Sequence, residues 1–125
     1  MEFIDGENLE KNMDIETAKE LGKKIGLLHS NNIIHGDLTT SNILVINKNN
    51  IKTLCIIDFG LSYISSDIES KGVDIHILFQ TLESTNSKES HQFIDYFIDE
   101  YSRYCKDYKK ILQRVDDIKK RGRYL

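Results

Sequence analysis

HGDLTTSNILV (residues 35–45), a polar turn and then IIDFG (residues 56–60) form the stretch that decides how this chain is read. Short apolar runs bound two loops there. On the loops stand Asp37, Asn42 and Asp58, two carboxylates and one amide oxygen placed to converge on a phosphate-bound metal ion. Magnesium is a hard ion that takes oxygen ligands, and an attacking hydroxyl or water needs a carboxylate to orient it and accept its proton. Asp37 is therefore the candidate base, and Asn42 and Asp58 are the candidate metal ligands. A lone D-F-G recurs by chance, and an isolated Asp in a turn usually caps its own backbone. The weight rests on both elements occurring in this order with apolar strands between them.

Composition bounds the rest. With 125 residues, no proline and 39% hydrophobic residues, the chain has the size of one domain that buries a core, and is neither a disordered tail nor a repeat array. No apolar run approaches the roughly 20 residues that cross a bilayer, and MEFIDGENLEKN lacks the basic-then-apolar pattern of a secretory signal. Cys55 and Cys105 show neither C-x-x-C nor metal-ligand spacing and read as free thiols in a reducing compartment. The net charge of −3 hides an asymmetry: from Lys106 onward eight basic residues face three acidic ones, a local +5, so residues 1–105 carry −8. Charge alone fits an anionic partner such as RNA, and equally a solvated helix end whose Lys and Arg complement the macrodipole.

Taken in order, residues 1–6 form an extended segment ending in the Asp5-Gly6 turn signal. Asp14 then caps a helix in which Ile15, Ala18, Leu21, Ile25 and Leu28 recur at helical spacing, with Asn31-Asn32 as its stop. A brief strand, Ile33-Ile34, delivers His35. Residues 43–46 and 53–57 are β-branched runs around NKNN and predict a hairpin whose strands set the separation of Asn42 and Asp58. Residues 61–71 read as a polar loop. The apolar run from Val73 to Leu82 predicts a central helix, in which Asp74 caps the start or reaches back to fix the backbone near His35 and Asp37, two compatible roles. Asn86 or Ser87 caps a further helix to Cys105, with Phe93, Ile94, Phe97, Ile98 and Tyr101 as core. A last helix carries the stripe Tyr108, Ile111, Leu112, Val115 and Ile118 before KKRGRYL.

The spacing of Asp37 to Asn42 and the later D-F-G match the protein-kinase pattern H-R-D-x-x-x-x-N followed by D-F-G. More specifically, HGDLTTSNILV, DFGLS, the G-V-D-I helix start and the terminal K-K-R-G-R resemble the small atypical kinase of the KEOPS (EKC) complex, the PRPK family, over almost the whole chain. The resemblance implies an α+β, mainly helical fold: the C-terminal lobe of a kinase with a small catalytic β-hairpin and no N-terminal lobe. It implies one unit over residues 1–125, with 1–6 as hinge segment, 35–60 as catalytic and metal-binding loops and 119–125 as a basic tail. It also implies an atypical serine/threonine kinase that acts chiefly as an ATPase, with ATP and Mg2+ as cofactors, supporting threonylcarbamoyladenosine formation in tRNA. Asp37 would then be the catalytic Asp, Asn42 and Asp58 the metal ligands, Leu44 the floor under adenine, Glu2 and Ile4 the hinge, and His35 and Asp74 the support of the loop. Lys119, Lys120, Arg121 and Arg123 would touch tRNA. The implied partners are the threonylcarbamoyl-transferase subunit and a further small KEOPS subunit, with no membrane, in the cytoplasm or nucleus.

Departures from ordinary protein kinases carry content. Gly36 stands where H-R-D has Arg, Thr39 where a Lys is common, and no A-P-E follows D-F-G, so peptide phosphorylation has little platform. The chain holds no glycine-rich loop, no V-A-I-K lysine and no αC glutamate, which predicts weak ATP binding and negligible turnover for this polypeptide alone. Two other readings stand beside the enzyme: a non-catalytic module that docks a KEOPS partner and tRNA, and, further off, a small-molecule kinase of the aminoglycoside or choline type.

Overall fold

The computed structural model describes residues 6–84 and 87–122, so Glu2, Ile4, Asn86 and Arg123 lie outside the described residues. Five short strands and four helices follow one another along the chain: β1 (Glu7–Asn8), α1 (Ile15–Ser30), β2 (Ile33–Ile34), β3 (Ile43–Lys48), β4 (Ile51–Ile56), β5 (Tyr63–Ile64), α2 (Ile68–Glu83), α3 (Lys88–Tyr104) and α4 (Tyr108–Gly122). The fold is α+β and mainly helical. α1 runs along α3, and α2 along α4.

α1 starts where expected, because the Asp14 carboxylate accepts the Thr17 N–H at 2.8 Å and so satisfies one of the orphan donors of the first turn. Its buried face reads Ala18, Leu21, Ile25 and, continuing the same spacing, His29. Gly22 and Gly26 sit on that face for a steric reason: a Cβ on Gly22 would meet the Phe97 carbonyl oxygen at 2.6 Å, and one on Gly26 the Tyr104 Cβ at 2.9 Å. Without side chains at those two points α3 comes close, and Phe93, Phe97 and Tyr101 fill the seam with Leu78 and Leu82 of α2 in the same core. Ser87 caps α3 by accepting the Ser90 N–H at 3.1 Å.

The strands form two small sheets, a three-stranded one in the order β1-β3-β4 and a two-stranded pair β2-β5, all antiparallel. The hairpin is tighter than its sequence reading. Pairing runs on to Lys48 opposite Ile51, leaving only Asn49 and Asn50 as the turn, both at positive φ (54° and 63°). Two adjacent residues in that region make the turn whose twist matches its strands, and Asn tolerates it better than other residues with a side chain.

Two further expectations need correction. Residues 61–71 are not all loop: β5 pairs back onto β2, and α2 begins at Ile68 with Asp67 as its cap, the Asp67 carboxylate accepting the Glu69 N–H. Asp74 is therefore no N-cap; it lies inside α2 and is buried. The first turn of α2 looked like loop because its polar residues find distant partners, Lys71 Nζ donating to Asn32 Oδ1 at 2.9 Å and Glu69 pairing with α4. Cys55 is half-buried in β4 and Cys105, buried, follows the last turn of α3; both are free.

Candidate functional site

His35 leaves β2 fully buried, and its imidazole ties two loops together. Nε2–H donates to the Ile57 carbonyl at 2.9 Å, while Nδ1 accepts the Asp37 N–H at 3.1 Å, a pairing that assigns the tautomer. The ring also meets Phe59 edge-on, with centroids 4.6 Å apart. Gly36 follows at φ +93°, where a Cβ would stand 2.3 Å from the Leu61 carbonyl oxygen. The Arg of H-R-D has no room here, so the departure noted in the sequence is a packing requirement.

Asp37 is half-buried. Asn42 Nδ2 donates to its backbone carbonyl at 2.8 Å and to its carboxylate at 3.3 Å, closing the loop between them. Thr40 pins that loop from both sides, its N–H donating to Thr81 Oγ1 at 3.2 Å and its hydroxyl to Glu10 at 3.3 Å. The Asn42 carbonyl in turn accepts the Ile57 N–H at 2.9 Å, so the residue just before Asp58 is fastened to Asn42. Asp58 is exposed, in left-handed backbone (φ 63°, ψ 61°), with Phe59 beginning a short 3-10 turn.

Magnesium takes hard oxygen donors, and Asn42 and Asp58 each carry one. Spending its NH2 on Asp37 fixes the amide plane of the buried Asn42 and leaves Oδ1 as its remaining acceptor, and the Asp58 carboxylate bonds to no described residue. Two hard oxygen donors are what magnesium takes from a protein when phosphate and water supply the rest. Among the described residues no three His, Cys, Asp or Glu side chains form a metal-holding group, so the protein by itself supplies only part of a shell.

Asp74 lies beneath the loop, its carboxylate 1% exposed as a residue. Oδ2 accepts the His35 N–H at 2.8 Å, Oδ1 the Gly36 N–H at 3.0 Å, and Oδ2 also faces His29 Nε2 at 3.0 Å. Beyond His29, Nδ1 faces the Tyr101 hydroxyl at 2.8 Å. Burial pushes the Tyr101 phenol well above its ordinary range. His29 and Tyr101 were missed as polar participants by the sequence reading. The signal was there: His29 falls four residues after Ile25, and Tyr101 four after Phe97, each on the apolar face of its helix.

Leu44 lies half-buried in β3, opposite Asn8 on one side and Cys55 on the other. The basic end is not gathered near Asp37. Lys119, Lys120 and Arg121 belong to the last turn of α4 and pair with Glu83 at 3.4 Å, Asp116 at 3.0 Å and Glu69 at 2.7 Å. Arg114 shares Glu69 at 2.6 Å, and the two guanidiniums, Arg114 first, hold the Glu69 carboxyl below its ordinary range. A cavity of about 480 Å³ between α2, α3 and α4, lined by Phe79, Ile98 and Leu112, includes none of Asp37, Asn42 or Asp58. No described helix is long and apolar enough to cross a membrane.

Comparison with known proteins gives the family. The family model described as protein tyrosine and serine/threonine kinase matches residues 4–98. A protein of Methanosarcina barkeri named probable bifunctional tRNA threonylcarbamoyladenosine biosynthesis protein is 43% identical over 99% of this chain and 22% of its own length. Its namesake in Methanospirillum hungatei is 49% identical over 100% of the chain and 23% of its own. The EKC/KEOPS complex subunit bud32 of Dictyostelium discoideum is 39% identical over 98% of the chain. The chain spans under a quarter of those two archaeal relatives and 52% of the Dictyostelium one.

Proposed function

Because the chain belongs to the protein tyrosine and serine/threonine kinase family, we propose that it is the ATP-handling lobe of an atypical serine/threonine kinase and ATPase of the KEOPS type, supporting threonylcarbamoyladenosine modification of tRNA. The observation that carries this reading is the double hydrogen bond from Asn42 to Asp37, which joins the candidate base to a candidate metal ligand. The names of the relatives support the tRNA assignment and membership of a KEOPS complex, and the reading puts that complex in the cytoplasm or nucleus.

Bound ATP with Mg2+ supplies the transferable phosphoryl group and neutralises its charge. Asn42 Oδ1 and the Asp58 carboxylate would hold the ion, and Leu44 would meet the adenine. Asp37 orients the attacking oxygen and accepts its proton. His35, held by Ile57 and holding the Asp37 N–H, keeps that carboxylate in register with the D-F-G turn. Gly36 leaves no guanidinium to receive a loop phosphate, and the few residues between Leu61 and Ile68 leave little platform for a peptide, so water is the better-suited acceptor. Lys119, Lys120, Arg121 and Arg123 make the tRNA contact, and the transferase and a second small subunit are the protein partners.

A second reading, a docking module without chemistry, is favoured by the exposure of Asp58 and Phe59. The two readings separate in one assay: metal-dependent ATP hydrolysis by this chain supplied with the remaining kinase lobe, the transferase subunit and tRNA. Hydrolysis that falls to background in Asp58→Asn with the fold retained is the expected result. Full activity in that variant removes Asp58 from the site, and no hydrolysis by the wild type selects the docking module.

A further inference from the structure

We infer that Tyr101 sets the tautomer of His29 and thereby holds the Asp74 carboxylate against the backbone of His35 and Gly36, making Tyr101 and His29 positioning residues for the loop that carries Asp37. This builds on the kinase reading only for its consequence at Asp37.

The relay begins with a proton that needs a strong acceptor. Tyr101 is fully buried, and its hydroxyl hydrogen needs an acceptor, because a buried donor left unpaired is costly. His29 Nδ1 stands 2.8 Å away. Cys105 also neighbours the phenol, but a thiol is a weak acceptor and competes poorly for that hydrogen. Donation by the phenol requires a lone pair on Nδ1, which places the imidazole proton on Nε2, 3.0 Å from Asp74 Oδ2. The opposite tautomer sets a lone pair against a carboxylate at one end of the ring, and at the other makes the phenol oxygen the acceptor and sends its hydrogen to the weaker thiol, with no solvent there to relieve either cost.

The consequence reaches the site because the same carboxylate carries the loop. With His29 donating to Oδ2, that oxygen and its twin also hold the N–H groups of His35 and Gly36 at 2.8 and 3.0 Å, immediately before Asp37. The relay thus links α3 to α1, α1 to α2, and α2 to the loop, three tertiary joints made by polar side chains inside an otherwise apolar core. The Tyr101 ring also stacks on Phe97, centroids 5.6 Å apart, and meets His29 edge-on. Tyr101→Phe keeps those ring contacts and removes only the hydroxyl, so it separates the relay from simple core filling.

The test is NMR on the 15N-labelled 125-residue chain, which uses neither ATP nor a partner and so fails or succeeds independently of the kinase reading. Long-range proton–nitrogen correlation is expected to find the His29 proton on Nε2. In Tyr101→Phe both ring nitrogens of His29 should shift, and the amide hydrogens of His35 and Gly36 should exchange about fivefold faster, the factor supplied by one hydrogen bond of ordinary strength. A wild-type proton on Nδ1 overturns the inference, as does a folded Tyr101→Phe with the His29 ring and both amides unchanged. If that variant does not fold, the wild-type ring still decides, together with Cys105→Ala. That change leaves both relay bonds in place and should leave the His29 ring unchanged; a shift would make the thiol the phenol's acceptor and overturn the relay.

Discussion

Asp74→Asn keeps the size of a side chain that is 1% exposed and removes its charge. The carboxylate accepts three N–H groups, from His35 and His29 at Oδ2 and from Gly36 at Oδ1. An amide retains one oxygen. Turned the better way, it keeps the two donors at the Oδ2 position and sets its own NH2 against the Gly36 N–H. One buried donor then loses its acceptor, costing about 1–3 kcal/mol, and two bonds fall from charged to neutral strength, about 1 kcal/mol each. Relief from burying a charge offsets part of this. The net expected loss is about 3 kcal/mol, which for a chain of this length lowers Tm by roughly 10 °C. Urea unfolding followed by circular dichroism should show a lower midpoint at an unchanged m-value. A loss under about 0.5 kcal/mol, the scale of an ordinary surface substitution, would refute the claim that this carboxylate anchors the loop.

The remaining predictions concern the helix seam, the acidic limb of stability and the basic end. Gly22→Ala gains about 1 kcal/mol of helix propensity yet places a Cβ 2.6 Å from the Phe97 carbonyl oxygen, so net destabilisation of about 1–2 kcal/mol is expected in denaturation; a more stable variant would mean that α1 and α3 are not in close contact. Arg114 and Arg121 hold the Glu69 carboxyl below its ordinary range, so its contribution is present above that range and is lost as pH falls through the lowered value. Tm scanned from about pH 7 down to about pH 3 should therefore show Glu69→Gln below the wild type near neutrality and converging with it in acid; parallel curves would mean that the pairs contribute nothing. In the assembled complex, Lys119→Ala and Lys120→Ala should each shallow the dependence of log K for tRNA on log salt by about 0.9 for a duplex contact and about 0.7 for a single strand. An unchanged slope would leave those lysines to their partners Glu83 and Asp116.

What could be read from the sequence was the local chemistry. The caps at Asp14 and Ser87 act within three residues, and the apolar stripes of α1, α3 and α4 follow a fixed period, so both are visible in a short window. The Asp37–Asn42 loop was legible for the same reason, as a spacing. What escaped was long-range polar pairing. Glu69 meets Arg114 and Arg121 from 45 and 52 residues away, and Lys71 meets Asn32 from 39, so the first turn of α2 looked like solvated loop. Asp74 offered two roles, and only its burial inside α2 excludes the cap. Tyr101 reads in sequence only as a core aromatic, and nothing in a short window ties it to His29, 72 residues away. The basic end fits in sequence an anionic partner or a solvated helix end, whereas Lys119 and Arg121 also pair with acids of α2.

The central claim is that Asp37, Asn42 and Asp58 surround a single nucleotide-bound cation, and Mn2+ with ATP reports on it directly even when binding is weak. Titrated into the 15N-labelled chain at millimolar nucleotide, the paramagnetic ion should selectively broaden the amide signals of Asp37, Asn42 and Asp58, with Asp58→Asn abolishing the effect. Broadening centred elsewhere, or persisting undiminished in Asp58→Asn, would contradict the account.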